Sequence, residues 1–111
     1  MSLLLIVDFK LADVGALCGD KCYTTQCKMR GWNSIKTLEE CKKAHLKLKK
    51  KYPFFKHSKF VKASGKGVDL PFGCIWDNVP RGKEWHVYMN SDGNTTSRDP
   101  NLRPICKKEK G

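Results

Sequence analysis

Six cysteines are the residues of this sequence best suited to covalent chemistry, and they occur within only 111 residues. An even number of cysteines in so short a chain predicts disulfides, each typically contributing about 2–4 kcal/mol of stability. The sequence does not determine their pairing. We expect Cys41 to pair with Cys74, and Cys106 with one of the three N-terminal cysteines, leaving Cys18 or Cys22 as the odd one, available to another chain. The six are Cys18, Cys22, Cys27, Cys41, Cys74 and Cys106.

Zinc is the alternative use of these cysteines. Cys41 and His45 are spaced to lie one turn apart on a helix, and Cys18, Cys22 and Cys27 could complete a site. However, the sequence contains no Cys-x-x-Cys pair, which structural zinc sites usually provide. We therefore favour disulfides and predict no metal and no cofactor.

A run of lysines is the second feature with functional potential. Residues 42–66 contain ten lysines and no acidic residue, in a chain of formal net charge +11. A field of this sign favours an anionic partner such as a glycan, RNA or an acidic protein surface. The alternative is a set of lysines that merely face water. The candidate anion-binding residues are Lys42, Lys43, Lys47, Lys49, Lys50, Lys51, Lys56, Lys59, Lys62 and Lys66.

Catalytic motifs are not recognisable in the sequence. No serine or cysteine is placed beside His57 or His86 by a known motif, and the glycines at 65 and 67 lack the spacing of a phosphate-binding loop. We therefore predict that the protein is not an enzyme. Asn94 begins an Asn-Thr-Thr sequon on a predicted turn, so it is a candidate glycosylation site.

The lysines and Cys41 require a helix to position them. Thr37 followed by Glu40 is typical of a capping box. One face of the helix is then formed, at three- and four-residue steps, by Leu38, Cys41, His45, Leu48 and Tyr52. Pro53 stops the pattern. We predict a helix over 38–51, followed by an aromatic corner and a short strand near Phe60.

The last third of the sequence is predicted to be β. Residues 70–76 and 85–89 form two strands, residues 77–84 turn the chain, Ser91-Asp-Gly93 forms a hairpin-type turn, and a last segment returns to Ile105-Cys106. Residues 1–17 are predicted to be an apolar N-terminal arm, strand or docking segment, and residues 18–111 a single domain. No stretch is long and apolar enough to span a membrane.

The last third also resembles a small cysteine-containing module of eukaryotic secreted and multi-domain proteins. Pro71-Phe-Gly-Cys74, Val87-Tyr-Met-Asn90 and a terminal Ile105-Cys106 carry the resemblance, with the Cys41 helix and Cys27 upstream. The match covers residues 27–107. It implies a disulfide-containing extracytoplasmic domain and no particular chemistry.

A weaker resemblance is to fungal guanyl-specific ribonucleases and their inactive relatives. The cysteine spacing, Tyr52-Pro53 and a proline-led strand carry it, and Asp69 could stand for a catalytic carboxylate. Phe54 occupies a position where those enzymes have histidine, and no histidine follows the strand that ends at Asn90. This resemblance implies an RNA binder without activity.

The sequence thus predicts an α+β fold in which one main helix packs on a small antiparallel sheet of three or four strands. The preferred function is a non-enzymatic, extracytoplasmic binding or structural module that engages an anionic partner or docks as an accessory subunit of a larger assembly. Its location would be secreted or in an organelle lumen. The alternatives are a ribonuclease-like effector or toxin that binds RNA, and a cationic membrane-disrupting peptide.

Overall fold

The computed structural model describes residues 6–21, 27–63 and 67–110. The described chain forms six strands, one α-helix and one short 3₁₀ helix. In chain order they are β1 Ile6–Leu11, β2 Asn33–Ser34, α1 Leu38–Lys51, the 3₁₀ helix Pro53–His57, β3 Ser58–Phe60, β4 Gly73–Arg81, β5 Glu84–Asn90 and β6 Leu102–Lys110.

Helix α1 begins and ends where the sequence predicts. The Thr37 hydroxyl accepts a hydrogen bond from the Glu40 backbone N–H, and Pro53 starts the 3₁₀ helix directly after the Tyr52 cap. Only half of the predicted capping box forms, because the Glu40 carboxylate instead accepts a bond of 2.8 Å from Lys107 of β6. The first turn of α1 is therefore attached to the sheet.

The sheet has the order β1-β6-β4-β5-β3, with β2 also pairing with β6. All pairs are antiparallel except β3 with β5, which is parallel. The α+β class with one main helix is confirmed, but the sheet is larger than predicted and mixed. The chain passes from β3 to β4 and then returns antiparallel to β4 as β5. Strand β5 therefore runs in the same direction as β3, and the two pair in parallel.

Two details of the predicted β region are wrong. Residues 77–84 do not turn the chain as a whole, because β4 continues to Arg81 and the turn is confined to Gly82 and Lys83. The register shifts between Asp77 and Arg81, and this irregularity accommodates Pro80 within the strand. The turn at 91–93 does not form a hairpin, since β6 pairs with β4 and not with β5.

Helix α1 packs on one face of the sheet and covers the main core. Cys41, Ala44, His45 and Leu48 form its buried face, whereas Leu38, predicted to belong to that face, is 45% exposed. The sheet contributes buried side chains from its three central strands, and the 3₁₀ helix adds Phe55. Those sheet residues are Cys74, Trp76, Val87, Met89 and Ile105.

Disulfides fix both faces of the sheet. Cys41 of α1 is bonded to Cys74 of β4, as expected from the sequence, and Cys106 of β6 is bonded to Cys18. Cys27 is also disulfide-bonded, and no described cysteine is free. Cys22 lies outside the described residues. Disulfides of this number in a small domain indicate an oxidising, extracytoplasmic environment.

The N-terminal segment contributes an edge strand. Residues 6–11 form β1, which pairs with β6 along its whole length from Ile6 opposite Lys110 to Leu11 opposite Ile105. Phe9 of β1 is buried in the main core. Residues 1–5 lie outside the described part of the chain. No helix within the described residues is long and apolar enough to cross a membrane.

Candidate anion-binding surface and sheet-face pocket

The predicted anion-binding lysines lie on three consecutive elements that contact one another. Helix α1, the 3₁₀ helix and the β3 region carry nine of them, all exposed, and Lys66 lies outside the described residues. We call these nine the lysine surface: Lys42, Lys43, Lys47, Lys49, Lys50, Lys51, Lys56, Lys59 and Lys62.

None of the nine lysines forms a salt bridge within the described residues. The ion pairs present there involve other cations: Arg81 with Asp77, Arg98 with Asp20, and Lys107 with Glu40, while His86 Nε2 lies 4.0 Å from Glu84 Oε1. These acidic side chains are thus committed to other basic groups. No carboxylate of the described residues lies within 4 Å of the ammonium groups of the lysine surface.

Four of these lysines are nevertheless oriented by contacts with the protein. Lys49 Nζ donates a hydrogen bond of 3.2 Å to the Ser58 carbonyl. Three ammonium groups lie over aromatic rings at 5.3–5.8 Å from the centroid, namely Lys42 over Phe60, Lys47 over Phe9 and Lys51 over Tyr52. Such cation–π contacts are worth about 0.5–1 kcal/mol at exposed sites. They restrict these side chains while leaving the ammonium groups accessible.

An apolar groove lies within the lysine surface, between α1 and the end of β3. Its volume is about 600 Å³. We call it the α1–β3 groove, lined by Leu38, Lys42, His45, Leu46, Phe60, Val61 and Lys62. Leu38 and Leu46 are 45% and 60% exposed, so two large apolar side chains of the helix face solvent here.

His45 lies beneath this groove and is 5% exposed. Its Nε2 is 2.7 Å from Ser58 Oγ, which itself donates a hydrogen bond to the Phe55 carbonyl. Because the Ser58 hydroxyl proton is used for that bond, His45 donates from Nε2 and carries its proton there. Burial, and then the charge of Lys49, lower the pKa of His45 below its ordinary value. The imidazole is therefore a neutral structural donor.

A second, polar pocket of about 710 Å³ lies on the sheet face opposite α1. Asp77 of β4 is the cross-strand partner of His86 of β5, and Tyr88 is the partner of Ile75, so these side chains share that face. Its polar lining is completed by Lys62, Arg81, Asn90, Asp99 and Asn101. We call it the sheet-face pocket.

Several groups in the sheet-face pocket are available to a ligand. Asp77 accepts bonds from Val79 N–H and from Arg81, whereas the Tyr88 hydroxyl and the His86 ring make no hydrogen bond with described residues. Burial, and then the negative charges of Asp77 and Asp99, raise the pKa of Tyr88 to about 12. The Tyr88 hydroxyl is thus a neutral donor or acceptor.

Sequence reasoning missed the sheet-face pocket. The alternation of Asp77 and Ile75 in β4, and of His86 and Tyr88 in β5, was the available signal, since period-two alternation places such residues on one face. The predicted turn over 77–84 includes Asp77, so the sequence analysis does not place this residue on the same sheet face as His86 and Tyr88.

The residues that carried the ribonuclease resemblance do not come together. Tyr52 packs against the main core and stacks on Phe54 at 5.4 Å between ring centroids. Asp69 is exposed, in the turn between Gly67 and Leu70 that borders the sheet-face pocket on the other side of the sheet. The two residues therefore cannot act on one substrate atom.

The zinc alternative is wrong for Cys41, because that sulfur is bonded to Cys74 and His45 is bonded to Ser58. The described residues bring together no group of three metal-binding side chains. The candidate glycosylation site Asn94 is exposed, and its Oδ1 accepts hydrogen bonds from the backbone N–H and hydroxyl of Thr96 at 2.9 and 2.8 Å.

Comparison with known proteins adds no assignment. No family model, no curated protein and no solved structure matches this chain. The disulfides and the small α+β domain fit the first resemblance in general character, while the resemblance to ribonucleases has no support.

Proposed function

We propose that this protein is a non-enzymatic binding module that holds a polyanion on its lysine surface. Nine exposed lysines lie on α1, the 3₁₀ helix and the β3 region, and none has an acidic partner among the described residues. This single observation carries the proposal. An anionic ligand would supply the charges that the protein does not, and would displace bound counterions as it does so.

The disulfides support a location for this activity. They are stable in oxidising compartments, where polyanions such as sulfated glycans are also exposed. We accordingly place the module outside the cytoplasm, secreted or in an organelle lumen. Cys41–Cys74 attaches α1, which carries six of the nine lysines, covalently to the sheet.

The test is elution from immobilised heparin and from immobilised single-stranded RNA at increasing salt. The variant replaces Lys43, Lys50, Lys56 and Lys59 by glutamine, since these four side chains lie outside the hydrogen bond and the ring contacts that orient the other lysines. We expect it to elute at clearly lower salt. For RNA, the slope of log K against log salt should become shallower by about 0.7 for each phosphate that the variant no longer neutralises.

A matched control distinguishes an effect of the lysine surface on elution from an effect of the net charge. It replaces Lys21, Lys28, Lys36 and Lys83 by glutamine, four exposed lysines outside the lysine surface. The control loses the same charge and should elute close to the wild type. Equal shifts of the elution salt in both variants would show that net charge alone causes binding. No shift in either variant would exclude polyanion binding and leave docking as an accessory subunit as the function.

The sheet-face pocket favours a second candidate, RNA binding by insertion of a base. Tyr88, His86 and Asn101 offer donors and acceptors in a concave site next to Lys62. The replacement of Tyr88 by alanine should then weaken RNA binding without changing elution from heparin, which has no bases. Equal effects on both ligands would exclude this candidate.

A further inference from the structure

The α1–β3 groove makes part of the lysine surface apolar. Leu38, Leu46, Phe60 and Val61 line it, and Lys42 and Lys62 stand among them. A ligand that contacts only charges would leave Leu46 exposed to the same 60% as in the free protein. Sulfate and phosphate groups have no apolar atoms to cover such a surface.

We propose that the α1–β3 groove binds a short acidic peptide segment of a partner protein, with apolar side chains in the groove and carboxylates on the flanking lysines. This inference rests on the proposed function, because it names the chemistry of the anionic partner. Carboxylates at the two ends of the peptide would pair with Lys42 and Lys62, since neither lysine has an ion-pair partner among the described residues. The apolar lining of the groove favours apolar side chains at the centre of the peptide.

The dimensions of the groove fit three extended residues. Leu38 and Leu46 are eight residues apart on α1, which corresponds to about 12 Å along the helix axis. Three residues of an extended peptide span about 10 Å. A volume of about 600 Å³ is within the range of protein sites that enclose small ligands.

The groove is also preformed. Lys42 lies over the Phe60 ring at 5.8 Å, and the bond of His45 to Ser58 fixes the floor between α1 and β3. Lys49 Nζ already donates a hydrogen bond to the Ser58 carbonyl on β3, so a peptide backbone would not pair with that carbonyl. Its side chains, and not added strand pairing, would provide recognition.

The test uses two synthetic peptides of equal charge. One is fluorescein-labelled Asp-Glu-Leu-Phe-Leu-Asp-Glu, and the other carries three serines in the centre. We expect the apolar peptide to bind the wild-type protein at least about tenfold more tightly in fluorescence anisotropy, since two or three apolar side chains become buried. The double variant Leu38→Ser/Leu46→Ser should lose that preference and retain weak binding of both peptides.

The matched control is Val14→Ser/Val68→Ser, because these valines are 40% and 54% exposed and lie outside the groove. It should keep the wild-type preference. Equal affinity of the two peptides for the wild type, or a preference that survives in the Leu38/Leu46 variant, would overturn the proposal.

Two other occupants are distinguished in the same series. Binding to vesicles containing phosphatidylserine that requires Leu38 and Leu46, without any peptide preference, would assign the groove to a membrane surface. Self-association in sedimentation that the same variant abolishes would assign it to a second copy. If the lysine variant eluted from heparin and RNA like the wild type while the preference for the apolar peptide remained, the general polyanion function would be excluded. Peptide binding in the α1–β3 groove would then stand alone.

Discussion

The Arg98 guanidinium donates two hydrogen bonds of 2.7 Å to the Asp20 carboxylate, across a separation of 78 residues. Asp20 also accepts a bond from the Leu17 N–H, and Arg98 donates another to the Gly15 carbonyl. This cluster joins the loop after β1 to the loop before β6. It holds the N-terminal loop against the sheet face that α1 does not cover.

Replacement of Asp20 by asparagine should lower the free energy of unfolding by about 1 kcal/mol. Charge-assisted hydrogen bonds contribute about 1.5–3 kcal/mol, and we reduce this because the Arg98 side chain is 41% exposed. The measurement is urea denaturation at pH 7. The matched variant Asp69→Asn, at an exposed aspartate without a hydrogen bond to described residues, should be close to neutral, and an equal loss in both variants would contradict the assignment.

The same carboxylate predicts acid sensitivity. Its hydrogen bonds from Arg98 lower the pKa of Asp20 below the ordinary value of 3.8, so the unfolded chain binds a proton more readily than the folded one. The contribution is complete above pH 3.8 and is lost as the pH falls through the lowered pKa. Urea midpoints measured from pH 5 to pH 2 should therefore fall less in Asp20→Asn than in the wild type.

His45 predicts a loss of stability at mildly acidic pH. Burial lowers the pKa of His45 below 6.5, so the unfolded state binds the proton more tightly. Its contribution is complete above pH 6.5 and declines as the pH falls through the lowered pKa. Urea midpoints should fall between pH 7.5 and pH 5, and His45→Gln should show a smaller decline than the wild type.

The control for His45 is His57→Gln, at an exposed histidine of the 3₁₀ helix. It should decline with pH as the wild type does. A wild-type decline that persists unchanged in His45→Gln would show that another group is responsible.

The Cys41–Cys74 disulfide closes a segment of 33 residues between α1 and β4. The double variant Cys41→Ala/Cys74→Ala should lose about 3–4 kcal/mol, because the unfolded chain regains loop entropy. Urea denaturation without reductant measures this loss. Removal of Cys18–Cys106, which closes 88 residues, should cost at least as much, and a neutral result for both pairs would contradict a structural role.

Glycosylation of Asn94 is expected if the chain enters a eukaryotic secretory pathway. The Asn94 side chain is exposed, and its Nδ2 makes no hydrogen bond with described residues, while Oδ1 accepts from Thr96. Secreted protein should show a mass increase that a glycosidase removes. Thr96→Ala should abolish the increase and Thr95→Ala should keep it, whereas an unmodified wild type would exclude the site.

Local signals in the sequence predicted the bounds of the helix. Thr37, Pro53 and the three- and four-residue spacing defined both ends of α1, whereas the expected bond of Cys41 to Cys74, although confirmed, did not follow from the spacing of the cysteines. The β5 strand was also close to its observed bounds. These features depend on neighbours along the chain.

Long-range pairing could not be predicted in the same way. The parallel β3–β5 pair and the β1–β6 pair join segments distant in sequence, and no single stretch specifies its partner. Both sites beyond the lysines depend on this pairing. The sheet-face pocket requires β4 beside β5, and the α1–β3 groove requires β3 at the sheet edge next to the helix.

The route of the backbone through Cys18–Cys106 has a mechanical consequence. Tension applied between Ile6 and Lys110 would separate β1 from β6 one residue pair at a time, because the two ends are adjacent in register. Once that ladder had opened, the load would pass from Cys18 to Cys106 through the sulfur atoms. Residues 19–105, which include α1 and the central strands, would carry no covalent load, so of the lysine surface only the contact of Lys47 with Phe9 of β1 would be lost directly.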